Sequence, residues 1–324
     1  MHGFISWTLD LGFGSLPRMR HWQSPHGRRL PTPGERTLIM GVLNATPDSF
    51  SDGGRHLDPE RAAEQAGRMI EEGADILDIG GESTRPGARP VDANEELDRV
   101  LPLLQLLRKR FPDVPLSIDT YKAEVARTAV QNGADLINDV WGLTYGLDDE
   151  TRRAWRRAVE RDSVSSDLPL SPMAQAAAAL TCPVILMHNR SQPIYEDFWF
   201  DLSLDLRVGI ALAKHAGVAS HQIWLDPGFG FGKTPRHNLE VLKHLDRLTS
   251  LGFPVLLGTS RKSTLGLVLD RPVENRREGT AATAVWGIAK GCHMVRVHDV
   301  AEIRPYIVMA DAIRLGLDYP EPDG

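Results

Sequence analysis

From Thr37 onward the chain alternates short apolar runs with longer segments in which apolar and charged residues recur at helical spacing. The short runs are rich in Val, Ile and Leu: 37–44 (TLIMGVLN), 75–80 (DILDIG), 114–119 (VPLSID), 135–139 (DLIND), 183–188 (PVILMH), 222–227 (QIWLDP), 254–260 (PVLLGTS) and 293–299 (HMVRVHD). Strands this continuous in hydrophobicity are buried on both faces, as parallel strands are when helices cover the sheet. Between them, 58–73, 95–111, 121–133, 202–217, 239–252 and 280–291 carry helical spacing and usually end in glycine, a common helix stop. Eight strand–helix units in about 260 residues predict one α/β domain, a (β/α)8 TIM barrel over residues 37–318. A doubly wound open sheet is the alternative. It would require a G-x-G-x-x-G turn after the first strand, and none is there.

Three stretches lie outside this pattern. Residues 1–36 are rich in Pro, Gly and His and read as an N-terminal extension with a polar hairpin leading into the first strand. Residues 319–324 form a short tail. Residues 140–181 read as a long connection after strand four, with a charged helix candidate (TRRAWRRAVERD) and a Ser/Pro-rich joint. Its arginines read as a solvated face.

Composition narrows the class. Net charge is −6, from 37 basic and 43 acidic residues among 324, which argues against a general nucleic-acid binder but allows a local cationic pocket. No apolar run approaches the roughly 20 residues of a membrane helix, and the N-terminus does not read as a secretory signal. Cys182 and Cys292 are too few for a disulfide framework or zinc site and read as buried thiols in a reducing cytoplasm.

Residues 226–234, DPGFGFGKT, resemble a phosphate-cradling P-loop, but the glycine required five residues before Gly232 is Pro227, which has no N–H to offer. The better clue is position. Barrel enzymes carry their chemistry at the C-terminal ends of the strands. Those ends hold Asn44, Gly80-Gly81-Glu82, Asp119, Asn138-Asp139, His188, Asp226, Ser260-Arg261-Lys262, Arg296 and His298. Read as converging on one mouth, they suit a ring dense in N–H donors beside an anion. A carboxylate accepts paired ring N–H groups, a carboxamide answers a donor–acceptor pair, and Arg and His suit phosphate oxygens.

Nine segments then resemble the dihydropteroate synthase family, in order from Thr37 to Val300: IMGVLNATPDSFSDGG, DIGGESTRPGA, SIDTYKAEVA, LINDVWG, VILMHNR, DPGFGFGKT, LLGTSRKS, EGTAA and VRVHDV. The resemblance implies a (β/α)8 enzyme that joins 6-hydroxymethyl-7,8-dihydropterin diphosphate to p-aminobenzoate by dissociative substitution, for folate synthesis. It implies pterin contacts from Asp119, Asn138, Asp226, Phe231 and Lys262, with Lys262, not Lys233, the lysine inside the site. Diphosphate falls to Asn44, Thr84, Arg296 and His298, with Asn44 holding Mg2+. Phe50, Asp52, Thr84, Arg85, Pro86 and Ser263 would frame the aminobenzoate, where sulfonamides would compete. Asp119, Asp226, Lys262, Arg296 and His298 would carry catalysis. Family precedent also suggests a homodimer packed through outer helices. Ala45 and Asn189 depart from residues common in the family but remove none of these groups. The rivals are a methyltetrahydrofolate–corrinoid methyltransferase, which would not require TPDSFSDGG, ESTRPG or SRKS, and a non-catalytic pterin-binding homologue, which would be expected to lose the loop residues, or Lys262 and Arg296, while keeping the core.

Overall fold

A computed structural model describes residues 22–45, 58–83 and 89–316. Eight parallel strands form its centre: β1 (Leu38–Asn44), β2 (Ile76–Gly80), β3 (Leu116–Asp119), β4 (Leu136–Asp139), β5 (Val184–Met187), β6 (Ile223–Asp226), β7 (Leu256–Leu257) and β8 (Met294–Val297). Their order is β6-β5-β4-β3-β2-β1-β8-β7. A parallel bridge between Leu225 and Val255 joins the two outer strands and closes the cylinder.

Strand side chains alternate between faces, so each strand feeds two cores. Ile39, Leu77, Ile118, Ile137, Leu186, Leu225 and Val295 face outward and pack with the helices in one large apolar cluster. Leu38, Met40, Ile76, Leu136, Ile185, Trp224, Leu256 and Met294 form a second cluster that fills the barrel. Two residues further along the same inward register, the apolar layer gives way to Asp78, Asn138, Asp226 and Arg296. The floor of the site is therefore the roof of the interior core.

The helices are α1 (Pro59–Glu71), α2 (Ala93–Arg110), α3 (Ala123–Gln131), α4 (Asp149–Glu160), α5 (Pro172–Ala179), α6 (Phe198–Ala216), α7 (Pro235–Lys243), α8 (Asp246–Thr249), α9 (Ser263–Leu269), α10 (Arg277–Ala289) and α11 (Val300–Leu315). Local chemistry starts several of them: Asp58, Asp92, Asp148, Ser171 and Asp197 each accept backbone N–H groups of a first turn.

The long connection after β4 holds two helices. Alanine-rich α5 takes the ring position between α3 and α6, while α4 lies against α6. The arginines of α4 are not a uniformly solvated face. Arg156 pairs with Asp201 at 2.7 Å and with Asp205 on α6, because burial of Trp155 turns that side of α4 inward. Arg153 and Arg157 do face solvent.

The extension also does more than lead into β1. Among its described residues are a turn at Ser24–Gly27 and a single bridge between Pro33 and Arg36. Trp22, only 2% exposed, lies against Trp224 inside the barrel with ring centroids 4.6 Å apart. Leu30 joins the same cluster. These residues plug the N-terminal end, and burying a side chain of this size is worth about 3 kcal/mol.

Candidate active site

Strand register assembles the site. Asn44 pairs with Gly80, Gly80 with Asp119, and Asp119 with Asn138, so one row of the barrel wall carries all four residues. Arg296 enters from β8 and donates to Asp78 at 2.6 Å and to Asp119 at 2.7 Å. Asn138 donates to the same Asp78 oxygen at 3.0 Å. The other Asp78 oxygen and the Asn138 carboxamide oxygen are buried with no hydrogen-bond partner. Such orphaned acceptors are costly unless a ligand supplies donors.

Opposite them, Asp226 ends β6. One of its oxygens accepts the Gly228 N–H at 2.7 Å. Lys262, from the loop after β7, donates to the Phe229 carbonyl and lies 4.4 Å over the Phe231 ring. Its ammonium also faces Asp226, Asp119 and Arg296 electrostatically. Four of the residues expected in the pterin floor thus share one cavity mouth with Arg296.

Burial perturbs the ionisation of this group. It pushes Asp119 up to about 7 against the pull of Arg296, with Asp78 and Glu96 adding to the rise. Burial likewise raises Asp226, opposed by Lys262. It lowers Lys262 to about 8, with Asp226 opposing and Arg296 reinforcing. Burial also works against the Arg296 charge, but Asp78 and Asp119 outweigh it and hold the guanidinium protonated. Clustered shifts of this kind, in a concave mouth, mark functional groups.

The glycine run has a structural explanation. Gly228 and Gly232 have positive φ values, +66° and +53°. A Cβ on Gly228 would stand 1.9 Å from the His188 carbonyl oxygen, and one on Gly232 would stand 2.4 Å from that of Arg190. Lys233 turns under the loop and donates to its carbonyls, and Thr234 caps α7 by accepting the His237 N–H. The Gly-Lys-Thr ending shapes a loop and starts a helix; it does not cradle phosphate.

Other expected residues take clear places. His298 follows β8, its Nδ1 3.0 Å from the Ser260 hydroxyl. Ser263 is exposed as the first residue of α9. Phe50, Asp52, Thr84, Arg85 and Pro86 lie outside the described residues. Four polar strand-end residues do not join the cluster, which corrects the reading that all converge. Asp139 accepts the Trp141 and Leu143 N–H groups, because it stands one step out of the inward register. His188 meets Lys233 and Asp205; Glu82 meets Tyr121 and Lys122; Arg261 meets Asp299. Asp78 is the residue that the sequence reading missed. Its signal was a carboxylate two residues after Ile76, on the inward parity of an otherwise apolar strand.

A barrel mouth lined by carboxylates, a carboxamide, a lysine and an arginine has the donors and acceptors that suit a flat, N–H-rich ring beside an anion. The chain belongs to the family of pterin-binding enzymes, whose sequence pattern, described as "Pterin binding enzyme", matches residues 40–298. It is 48% identical over 281 residues to a dihydropteroate synthase of Clostridium beijerinckii, covering 86% of this chain and 95% of that relative. Its fold is similar to the Xanthomonas albilineans dihydropteroate synthase solved with 4-aminobenzoic acid, at TM-score 0.78 and 39% identity, covering 92% and 100% of the two chains. It is also similar to the Yersinia pestis dihydropteroate synthase solved in a sulfonamide drug complex, at TM-score 0.77 and 38% identity, with the same coverage.

Proposed function

We propose that this chain is a dihydropteroate synthase, joining 6-hydroxymethyl-7,8-dihydropterin diphosphate to p-aminobenzoate with release of diphosphate. One observation carries the reading: one buried acceptor each of Asp78 and Asn138 stands without a donor beside Asp119, whose carboxylate, like that of Asp226, interacts with Lys262. An aminopyrimidinone ring supplies the N–H donors this floor lacks.

The reaction separates charge. The C–O bond to diphosphate breaks with both electrons leaving on oxygen, and the pterin methylene becomes cationic. The arylamine nitrogen then forms the C–N bond and loses a proton. Asp119 and Asp226, as carboxylates, favour the cation, while Arg296 and His298 favour the departing anion. Lys262 donates to the ring, and Phe231 flanks it. Ser263, exposed at the start of α9, suits the aminobenzoate carboxylate. Thr84 and Arg85, with Phe50, Asp52 and Pro86, would complete the diphosphate and aminobenzoate sides.

Mg2+ fits the donor chemistry. Asn44 offers a neutral oxygen, 3.9 Å from where a Cβ on Gly80 would stand, and the described residues contain no cluster of three His, Cys, Asp or Glu for an all-protein cage. Asn44 would hold Mg2+ through this oxygen, and the ion would supply charge neutralisation to the substrate phosphates. We further propose a homodimer through α11, whose Tyr306, Met309 and Ile313 are 50%, 62% and 77% exposed at i, i+3, i+7 spacing. Two buried free thiols suit a cytoplasmic setting. No described helix is long and apolar enough to cross a membrane.

The test is direct. Purified protein given both substrates is expected to release one diphosphate per dihydropteroate, with turnover falling when Mg2+ is chelated and with sulfonamide competing against aminobenzoate. Absence of dihydropteroate, or methyl transfer to a corrinoid in its place, would refute the assignment.

A further inference from the structure

The Lys233 ammonium is enclosed beneath the 228–232 loop, and burial of that group drives its pKa well below the ordinary lysine value, with Asp226 opposing. Its ammonium has three N–H groups, and four acceptors lie within reach: His188 Nδ1 at 2.7 Å, the Gly228 carbonyl at 3.0 Å, the Phe231 carbonyl at 3.0 Å and, more distantly, the His188 carbonyl at 3.4 Å. The Asp205 carboxylate, 3.2 Å from His188 Nε2, accepts the Nε2–H, which leaves Nδ1 of a neutral ring as the acceptor for Lys233. Burial, with Lys233 and Arg190 adding to it, holds that imidazole neutral. Asp205 in turn receives Arg190 at 2.7 Å and Arg156. A chain of contacts therefore runs from α6 to the underside of the loop.

The loop touches two groups of the pterin site, Lys262 and Asp226, and supplies a third, Phe231. Its Phe229 carbonyl receives Lys262, its Phe231 ring lies under the same ammonium, and its Gly228 N–H binds Asp226. Gly230, at φ +87°, leaves only 2.9 Å between a would-be Cβ and the Lys262 side chain. A loop packed this closely cannot shift without moving Lys262.

We propose that Lys233, oriented by His188 and Asp205, is a positioning residue for the pterin site: it pins the 228–232 loop so that Lys262, Phe231 and Asp226 keep their mutual geometry. The proposal rests on the pterin reading above. It assigns Lys233 no contact with substrate.

The experiment uses the full chain and pterin-6-carboxylate as the probe, titrated by calorimetry. Lys233→Met keeps the aliphatic stem and removes all three donors; the dissociation constant is expected to rise about tenfold or more. Tyr195→Phe deletes the hydroxyl that donates to the Gly232 carbonyl at 2.6 Å and should raise it about threefold. A lysine that merely supported the fold would lower the binding stoichiometry, which counts folded sites, and leave the constant unchanged. That result in Lys233→Met overturns the proposal. If Lys233→Met is not recovered folded, an unchanged constant in Tyr195→Phe overturns it. Product formation by the unaltered protein tests the functional reading separately.

Discussion

The two ends of the barrel carry the same kinds of buried charge and treat them differently. At the N-terminal end, Asp135 accepts from the Ser24 hydroxyl, Arg28 at 2.7 Å, Arg108 at 2.8 Å and the Leu116 N–H at 2.9 Å. Asp311 accepts from the Thr37 N–H at 2.6 Å, its hydroxyl at 2.8 Å and Arg314 at 3.0 Å. At the C-terminal end, an oxygen of Asp78 and one of Asn138 have no donor. Among these carboxylates and carboxamides, saturation of the acceptors, not charge, separates the two ends. A carboxylate with every lone pair engaged has nothing left for a ligand, whereas an orphaned acceptor carries a free-energy deficit that a ligand can relieve.

Asp135 and Asp226, one at each end of the barrel, should respond to truncation in opposite ways. Asp135→Ala strands Arg28 and Arg108 and should cost about 3–5 kcal/mol of stability, read by urea unfolding. The protein that remains folded should bind pterin with its original affinity. Asp226→Ala should do the reverse, weakening pterin binding about a hundredfold while leaving the melting temperature level or higher, because a carboxylate whose charge is disfavoured by burial is gone. Calorimetry and thermal unfolding on both variants decide the matter. Lost pterin affinity in folded Asp135→Ala, with near-normal affinity in Asp226→Ala, would invert the assignment of the two ends.

The same contrast explains what the sequence could tell. Eight strands were legible because burial on both faces writes an unbroken apolar run, as in VILM and LIMGV. The polar residues ending them were visible for the same reason. Their direction was not. Asn138 and Asp139 are neighbours in chain and chemistry, yet one faces the mouth and the other its own backbone, since only the phase of a two-residue period separates them. Counting that phase from Ile76 would have found Asp78. Trp22 was illegible for a different reason: a lone aromatic in a polar stretch has no period, and its partner Trp224 is some 200 positions away, a separation that only the closed barrel brings together.

At Asp119 the difference between the two ends becomes a matter of pH. Asp119 lies near 7 because burial raises it, with Asp78 and Glu96 pushing the same way and Arg296 and Lys262 pulling back. A ring N–H needs the carboxylate, so pterin affinity should fall as pH drops, by about tenfold for each unit below 7. Lys262, near 8, titrates above this window. Stability runs the other way. The unfolded side chain ionises near 4, so the fold binds the proton more tightly; this group's contribution is fully present below about 4 and is lost as pH rises through 7. The ligand-free melting temperature should thus carry a component that declines over the interval in which pterin affinity climbs. Asp119→Asn should flatten both slopes. Pterin affinity independent of pH between 5 and 7 in the unaltered protein would mean that Arg296 keeps Asp119 fully ionised, as saturated as Asp135 at the opposite end.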